Sequence, residues 1–132
     1  MMMKTLCLTL VLHMAGCSTM ASRPTFPRSV IEAKFDAVNR HSIAEIVAFY
    51  AADAELTAPN FCAKRQGRAD LARTYQFILG AVPDVEADVQ EYVVQGDRVA
   101  VRLTIRSRLP GRAFELPIVN LFTVRQGLII ER

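Results

Sequence analysis

The chain of 132 residues has room for one domain, and its composition, 52% hydrophobic and 22% charged, supports a packed core and excludes a wholly disordered protein. A formal net charge of +3, with arginines spread along the chain, is too small to indicate nucleic-acid binding. Two of the three cysteines, Cys7 and Cys17, lie near the N-terminus, so Cys62 is alone in the remainder and no internal disulfide is expected.

Residues 1–16 have the layout of a signal peptide, with an early positive charge, an apolar run over residues 5–12 and small residues before Cys17. The apolar run is too short to cross a bilayer as a helix. Residues 14–17, Met-Ala-Gly-Cys, resemble a bacterial lipobox, which implies cleavage before Cys17 and lipidation of that cysteine. We therefore expect a bacterial cell-envelope protein, anchored to a membrane on its periplasmic or extracytoplasmic side. The alternatives are a secretory signal cut near Ala21 and a misassigned start among the first methionines.

Residues 17–27 are interpreted as the lipidated cysteine and a tether, because they are small, polar and proline-containing. A single domain is expected over residues 28–132. Two capping boxes, each a serine followed three residues later by a glutamate, predict that this domain opens with two consecutive helices. The boxes are Ser29 with Glu32 and Ser42 with Glu45.

A short strand over Ala54–Ala58 and a third helix beginning near Gly67 are predicted next. Pro59 opens the loop between them. Asp70 stands in the first turn of the helix, where a negative charge suits the helix dipole, and Gly80 is a natural end. The apolar stripe of this helix consists of Leu71, Thr74, Tyr75 and Ile78.

From Val85 onward apolar residues recur with a period of two, which predicts strands. Gly96-Asp97 is a two-residue hairpin turn, and Pro110-Gly111 suits a second turn. The predicted strands cover residues 89–95, 99–106, 113–124 and 128–132. Three helices followed by a meandering antiparallel sheet define an α+β fold.

Several short segments resemble the SnoaL-like branch of the nuclear transport factor 2-like superfamily. They are Phe49–Ala54, Gln66–Asp70, Val94–Val101, Phe114–Ile118 and Phe122–Ile129. The resemblance implies a cone in which a curved, mainly antiparallel sheet wraps the three helices around an apolar pocket. Many relatives dimerise through the outer face of the sheet, so a homodimer is implied. The superfamily includes ketosteroid isomerase, polyketide cyclases and many non-catalytic binders, so the fold does not decide the activity.

Two positions depart from ketosteroid isomerase. That enzyme carries its proton-transferring aspartate just before a proline at the end of the first strand, whereas Ala58 precedes Pro59 here and cannot transfer a proton. A second acid, which donates to the developing oxyanion, aligns with Asn120. An amide still donates a hydrogen bond, although more weakly than a neutral carboxylic acid. The missing acid shifts the expectation from catalysis toward binding.

Inward-facing side chains are the candidates for ligand contact. They are Tyr50, Tyr75, Ile118, Asn120 and Phe122. Asn120 is a lone amide on an apolar strand face, so backbone, water or a ligand has to satisfy it. The two tyrosines either offer hydroxyl groups to a ligand or are core aromatics.

Candidates for catalysis are Asn120, Tyr50 and Asp53. Asp53 is either a base at the pocket mouth or a residue that fixes a turn between helix and strand. With one histidine, His41, and one cysteine, Cys62, left in the mature chain, we expect no metal site and no cofactor.

The leading hypothesis is an exported, lipid-anchored domain that binds a small apolar molecule without catalysis. One alternative is an isomerase or cyclase acting on a steroid- or polyketide-like substrate, which requires that a carboxylate such as Asp53, Asp70 or Glu55 faces the cavity. The other alternative is a structural or partner-binding lipoprotein that uses the outer face of the sheet.

Overall fold

The computed structural model describes residues 22–59 and 61–132, so the signal peptide, Cys17 and the first part of the predicted tether lie outside the described residues. Helices in the described part are α1 Pro27–Asn39, α2 Ile43–Ala48 and α3 Gly67–Ala81. Its strands are β1 Tyr50–Leu56, β2 Arg65–Gln66, β3 Glu86–Gln95, β4 Arg98–Ser107, β5 Phe114–Arg125 and β6 Leu128–Glu131. Within these residues, no helix is both long and apolar enough to cross a membrane.

The six described strands form one sheet in the order β2-β1-β6-β5-β4-β3. Strands β1 and β6 run parallel, and every other neighbouring pair is antiparallel. Register shifts interrupt the β3–β4 pairing at Val89/Glu91 and the β5–β6 pairing at Thr123/Val124. Such irregularities bend and twist a sheet. The predicted α+β fold, with three helices against a curved and mainly antiparallel sheet, is confirmed.

The core lies between the concave face of the sheet and the helices. Strand β4 supplies Val99, Val101 and Leu103, all fully buried, while Arg102 on the opposite face is exposed. The ring of Phe35 in α1 packs edge-on against Phe122 in β5, with centroids 6.0 Å apart. Full burial of side chains of this size stabilises a fold by roughly 1.5–3 kcal/mol each, which makes the α1–sheet contact a large contribution.

Asn39 joins the end of α1 to β3. Its Nδ2 donates to the Ala87 carbonyl at 3.0 Å, and the Ala87 N–H donates to Asn39 Oδ1 at 2.8 Å. The Asn39 side chain thus satisfies both backbone groups of Ala87, as a neighbouring strand would do. These bonds fix the position of α1 against the sheet.

The first predicted capping box is wrong. Helix α1 begins at Pro27, two residues before Ser29, and no side chain caps it. Proline suits a first helical position because it has no N–H to satisfy there and its φ angle is already helical. Glu32 instead pairs with Arg28 at 2.7 Å. At the second box, Ser42 is the residue that precedes α2, as predicted, but its side chain makes no capping hydrogen bond.

The first strand begins earlier than the sequence predicts, at Tyr50 rather than Ala54. Tyr50 lies opposite Ile129 of β6, and the Ile129 N–H donates to the Phe49 carbonyl at 2.8 Å. This parallel pairing extends the strand into residues that resemble the end of a helix in the sequence alone. The end of the predicted tether is also packed, because a Cβ at Gly127 would lie 3.2 Å from the Pro24 carbonyl oxygen.

Candidate functional site

A cavity of about 950 Å³ lies between α3, the loop after β1 and the middle of β5. Most of its wall is apolar. The apolar lining residues are Ala58, Pro59, Phe61, Phe77, Ile78, Leu116, Ile118 and Val119. The polar ones are Arg65, Asp70, Arg73, Thr74, Asn120 and Arg132. This composition, an apolar wall with a few polar groups, is typical of a site for a small organic molecule.

The structure brings some of the sequence-derived candidates to the cavity and not others. Ile118 and Asn120 line it. Tyr50, Tyr75 and Phe122 are buried in the core, with 0%, 5% and 1% of their surface exposed, and are not among the lining residues. Direct contact of these three with a ligand therefore stays a prediction without support from the cavity wall.

Ala58, which the resemblance to ketosteroid isomerase aligns with the acid of that enzyme, does line the cavity. Asp53 is exposed in β1 and is not a lining residue, so it neither fixes a helix–strand turn nor faces the cavity. Glu55 is also absent from the wall and pairs with Lys64 at 2.6 Å. These placements remove two of the three carboxylates that an acid–base mechanism could have used.

Asp70 is the carboxylate that faces the cavity among the described residues. It stands in the first turn of α3 and accepts a hydrogen bond from the Gln66 N–H at 3.1 Å. Its other oxygen accepts from Arg73 at 3.2 Å. Both oxygens are therefore engaged in holding the start of the helix.

Asn120 lies opposite Val101 in the β4–β5 ladder, with Ile118 and Phe122 as its neighbours on the same face of β5. Its Nδ2 atom is buried and has no hydrogen-bond partner among the described residues. A buried donor left unsatisfied costs about 1–3 kcal/mol. The expectation that this amide needs a partner from outside the strand is consistent with its place in the cavity wall.

Lys34 in α1 is a feature that the sequence reasoning missed. It is 2% exposed, and its Nζ lies 4.0 Å from the ring centroid of Phe35, 5.4 Å from that of Phe122 and 5.7 Å from that of Tyr75. The faces of aromatic rings attract an ammonium group. The signal was present in the sequence, because Lys34 stands three residues after Ile31, within the apolar stripe of the helix.

Lys34, Tyr50 and Tyr75 form one buried group, the tyrosine–lysine cluster. Burial lowers the pKa of Lys34 to about 8. Burial disfavours the phenolate of Tyr75, yet the positive charges of Lys34 and Arg132 outweigh it and lower the pKa of Tyr75 to about 8. Burial raises the pKa of Tyr50 well above its ordinary value, so Tyr50 keeps its proton. Arg132, which also lines the cavity, is the neighbour that connects the cluster to the site.

No group of three histidine, cysteine, aspartate or glutamate side chains in the described ranges is arranged to hold a metal ion. His41 lies beside the Val85 carbonyl, with its Nε2 at 2.8 Å, and Cys62 is exposed. On the outer face of the sheet, Val93 and Leu121 are 57% and 58% exposed. The homodimer implied by the family resemblance stays a prediction.

The family model of the SnoaL-like domain matches residues 31–132, and the chain belongs to this family. IdmH from Streptomyces antibioticus, a proposed polyketide cyclase, is similar with a TM-score of 0.72 and 29% identity over 80% of this chain and 87% of that chain. A loop-truncation variant of IdmH gives a TM-score of 0.73 and 30% identity over 80% and 88%. A proposed polyketide cyclase from Sinorhizobium meliloti gives 0.66 and 25% over 78% and 90%. Among curated proteins, none matches this chain.

Proposed function

We propose that this SnoaL-like domain binds a small, largely apolar molecule in the cavity between α3 and β5 and does not transform it. The observation that carries the proposal is the cavity of about 950 Å³ with its mainly apolar wall. Pockets for small organic ligands have volumes of roughly 300–1,000 Å³ and similar linings.

Binding without catalysis is supported by the placement of the carboxylates. Ala58 stands in the wall where an acid is needed, and both oxygens of Asp70 already accept hydrogen bonds from Gln66 and Arg73. A general base needs a free lone pair within hydrogen-bond reach of the proton it abstracts. Ala58 offers none, and Asp70 keeps free lone pairs but is already held at the start of α3 by Gln66 and Arg73.

The experiment compares two tryptophan variants of the same strand. Ile118→Trp places an indole inside the cavity, whereas Leu121→Trp places it on the exposed outer face of β5. We expect native mass spectrometry of the protein purified from its own membrane to show a bound small molecule in the wild type and in Leu121→Trp, and to show none in Ile118→Trp. A wild-type protein without any bound molecule, which also fails to bind the apolar probe N-phenylnaphthylamine, contradicts the proposal.

A second candidate function is an isomerase- or cyclase-type enzyme acting on a polyketide-like substrate. It is supported by the similarity to IdmH at 29% identity and by Asp70, which faces the cavity. The two functions differ in what happens to the ligand. If the molecule extracted from the protein keeps its mass and absorption spectrum when it is incubated with fresh protein, binding is favoured. Conversion that is lost in Asp70→Asn, with the fold of that variant checked by circular dichroism, favours the enzyme.

We also propose export and lipid anchoring through Cys17, on the basis of the Met-Ala-Gly-Cys motif at residues 14–17. A single acyl chain gives marginal membrane binding, whereas several chains on one cysteine anchor a protein stably. Labelling of bacterial cells with a radioactive fatty acid should mark the wild-type protein and leave Cys17→Ser unmarked. Equal labelling of both proteins, or of neither, contradicts the lipid anchor.

A further inference from the structure

The cavity wall is rich in hydrogen-bond donors and poor in acceptors. Buried side-chain nitrogens without a hydrogen-bond partner among residues 22–59 and 61–132 belong to Arg65, Arg106 and Asn120. Arg106 is not part of the cavity wall, and its Nε lies 3.1 Å from a carboxylate oxygen of Glu115, so its charge is matched. The other two, Arg65 Nε and Asn120 Nδ2, belong to residues that line the cavity. Both atoms need an acceptor that the described protein does not provide.

The charged residues of the wall also favour a ligand that accepts hydrogen bonds. Three arginines line the cavity together with one carboxylate. Arg73 is matched by Asp70 at 3.2 Å, whereas Arg65 and Arg132 have no ion-pair partner within the part of the chain that the structure describes. The site thus carries an excess of positive charge that faces a partly enclosed space.

An aromatic ring lies against each of these two guanidinium groups. The Arg65 guanidinium lies 5.1 Å from the ring centroid of Phe61, and the Arg132 guanidinium lies 5.8 Å from that of Phe122. A ring face supports the charge of a stacked guanidinium, but the N–H groups in the plane of the guanidinium still require acceptors. The two arginines are therefore positioned in advance for an oxygen-bearing partner.

We propose that the molecule held in the cavity is an amphipathic anion, with an apolar body and one carboxylate or similarly acidic oxygen that accepts hydrogen bonds from Arg65, Arg132 and Asn120. The proposal rests on the proposed binding function and adds the chemical class of the ligand. The Nδ2 end of the Asn120 amide is the end that can donate to such an anion. The apolar side chains of Ile78 and Ile118 in the same wall require an organic body, so a bare inorganic anion would leave them unfilled.

The experiment uses a matched pair of probes, naphthoate and naphthamide, which share the same rings and nearly the same shape but differ in charge. Titration calorimetry with the full chain near neutral pH should show naphthoate binding at least about tenfold more tightly, as charge-assisted hydrogen bonds are the stronger ones. Added salt should reduce this preference.

Two variants of the cavity wall and one control variant test whether the preference for naphthoate comes from the wall. Arg65→Leu and Arg132→Leu should each weaken naphthoate binding about tenfold and leave naphthamide binding nearly unchanged. Arg102→Leu is the matched control, since Arg102 lies exposed outside the cavity wall and pairs with Glu91 at 3.1 Å. The thermal unfolding of each variant shows whether it is folded.

The outcomes separate the two proposals. If naphthamide binds as tightly as naphthoate, the anion inference is wrong while an apolar binding site stands. If Arg102→Leu weakens naphthoate binding as much as Arg132→Leu does, the preference comes from the overall charge of the protein, and the inference is again wrong. If neither probe binds and N-phenylnaphthylamine does not bind either, the binding function itself is wrong.

Discussion

The hydroxyl oxygens of Tyr50 and Tyr75 lie 3.1 Å apart, so a buried hydrogen bond joins β1 to α3. Strand β1 precedes and α3 follows residues 57–66, a segment that contributes part of the cavity wall. Either hydroxyl can be the donor in this bond, and burial raises the pKa of Tyr50 so that this hydroxyl keeps its proton. The bond helps to set the position of α3, which provides one wall of the site.

A double-mutant cycle on this pair tests the bond. Tyr50→Phe and Tyr75→Phe should each lower the free energy of unfolding by about 1–2 kcal/mol, since each leaves a buried hydroxyl with one partner fewer. The double variant should lower the free energy of unfolding by less than the sum of the two single losses, with a coupling energy of at least about 0.5 kcal/mol. Urea unfolding of the four proteins gives the values. Strict additivity would mean that the two hydroxyl groups do not interact.

The buried ammonium of Lys34 predicts an unusual dependence of stability on pH. Its pKa is about 8 in the folded chain and 10.5 for an exposed lysine, so the unfolded chain binds more protons between these values and stability rises with pH across that window. Below the folded pKa, the cost of burying the charged ammonium lowers the free energy of unfolding by its full amount, about 3 kcal/mol. The gain in stability is therefore lost as the pH falls from about 10.5 to about 8.

Lys34→Met should therefore stabilise the protein at neutral pH by about 1–3 kcal/mol, because a buried charge is replaced by an apolar side chain of similar length. It should also reduce the rise in stability above pH 8, to which Tyr75 contributes as well. Lys64→Met serves as control, since the Lys64 side chain is 54% exposed and lies on the surface. Denaturant unfolding at several pH values provides the measurement. A destabilised Lys34→Met would show instead that the three aromatic rings compensate the buried charge.

The two hydrogen bonds between Asn39 and Ala87 predict that removal of this side chain lowers the free energy of unfolding by more than the loss of one ordinary surface hydrogen bond would. Asn39→Ala leaves both the N–H and the carbonyl of Ala87 without their partners, which should cost about 2–4 kcal/mol. Asn39→Asp keeps the acceptor for the Ala87 N–H and loses the donor, so its cost should lie between those of Ala and the wild type. If the alanine variant unfolds at the same denaturant concentration as the wild type, the two hydrogen bonds of Asn39 do not stabilise the fold.

Two glycines of α3 should respond oppositely to alanine. Gly67 has a φ of +79°, and a Cβ there would lie 3.3 Å from the Ala52 carbonyl oxygen, so Gly67→Ala should destabilise by about 1–2 kcal/mol. Gly80 has open space around it within the helix, so Gly80→Ala should stabilise by about 0.5–1 kcal/mol. Thermal unfolding distinguishes the two. Equal responses would exclude a conformational role for Gly67.

Local patterns in the sequence were sufficient for most of the architecture. The alternation of Val99, Val101 and Leu103 with Arg102 predicts a strand with one buried face, and that face is in the core. Asn120 could be selected because a polar residue interrupts an apolar alternation. These features depend on neighbours within a few residues, which the sequence displays directly.

Features that depend on distant pairing could not be predicted in the same way. Tyr50 belongs to β1 because it pairs with Ile129, far along the chain. Arg65 lies in a two-residue strand that exists through its pairing with Leu56, and no local pattern places its side chain in a cavity. The residue type of Lys34 suggests exposure, although its spacing assigns it to the buried stripe of α1.

The position of β6 has a consequence for the order of assembly. Strand β6 stands between β1 and β5, so without residues 128–131 the described sheet consists of two pieces that share no hydrogen bonds. Contacts between distant parts of a chain form slowly, because loop closure costs entropy before the contacts are gained. The cavity has α3 and the β1 side on one piece and β5 on the other, so it forms only when β6 joins the two pieces. A ligand that contacts both sides of the cavity can therefore bind only after β6 has paired with β1 and β5.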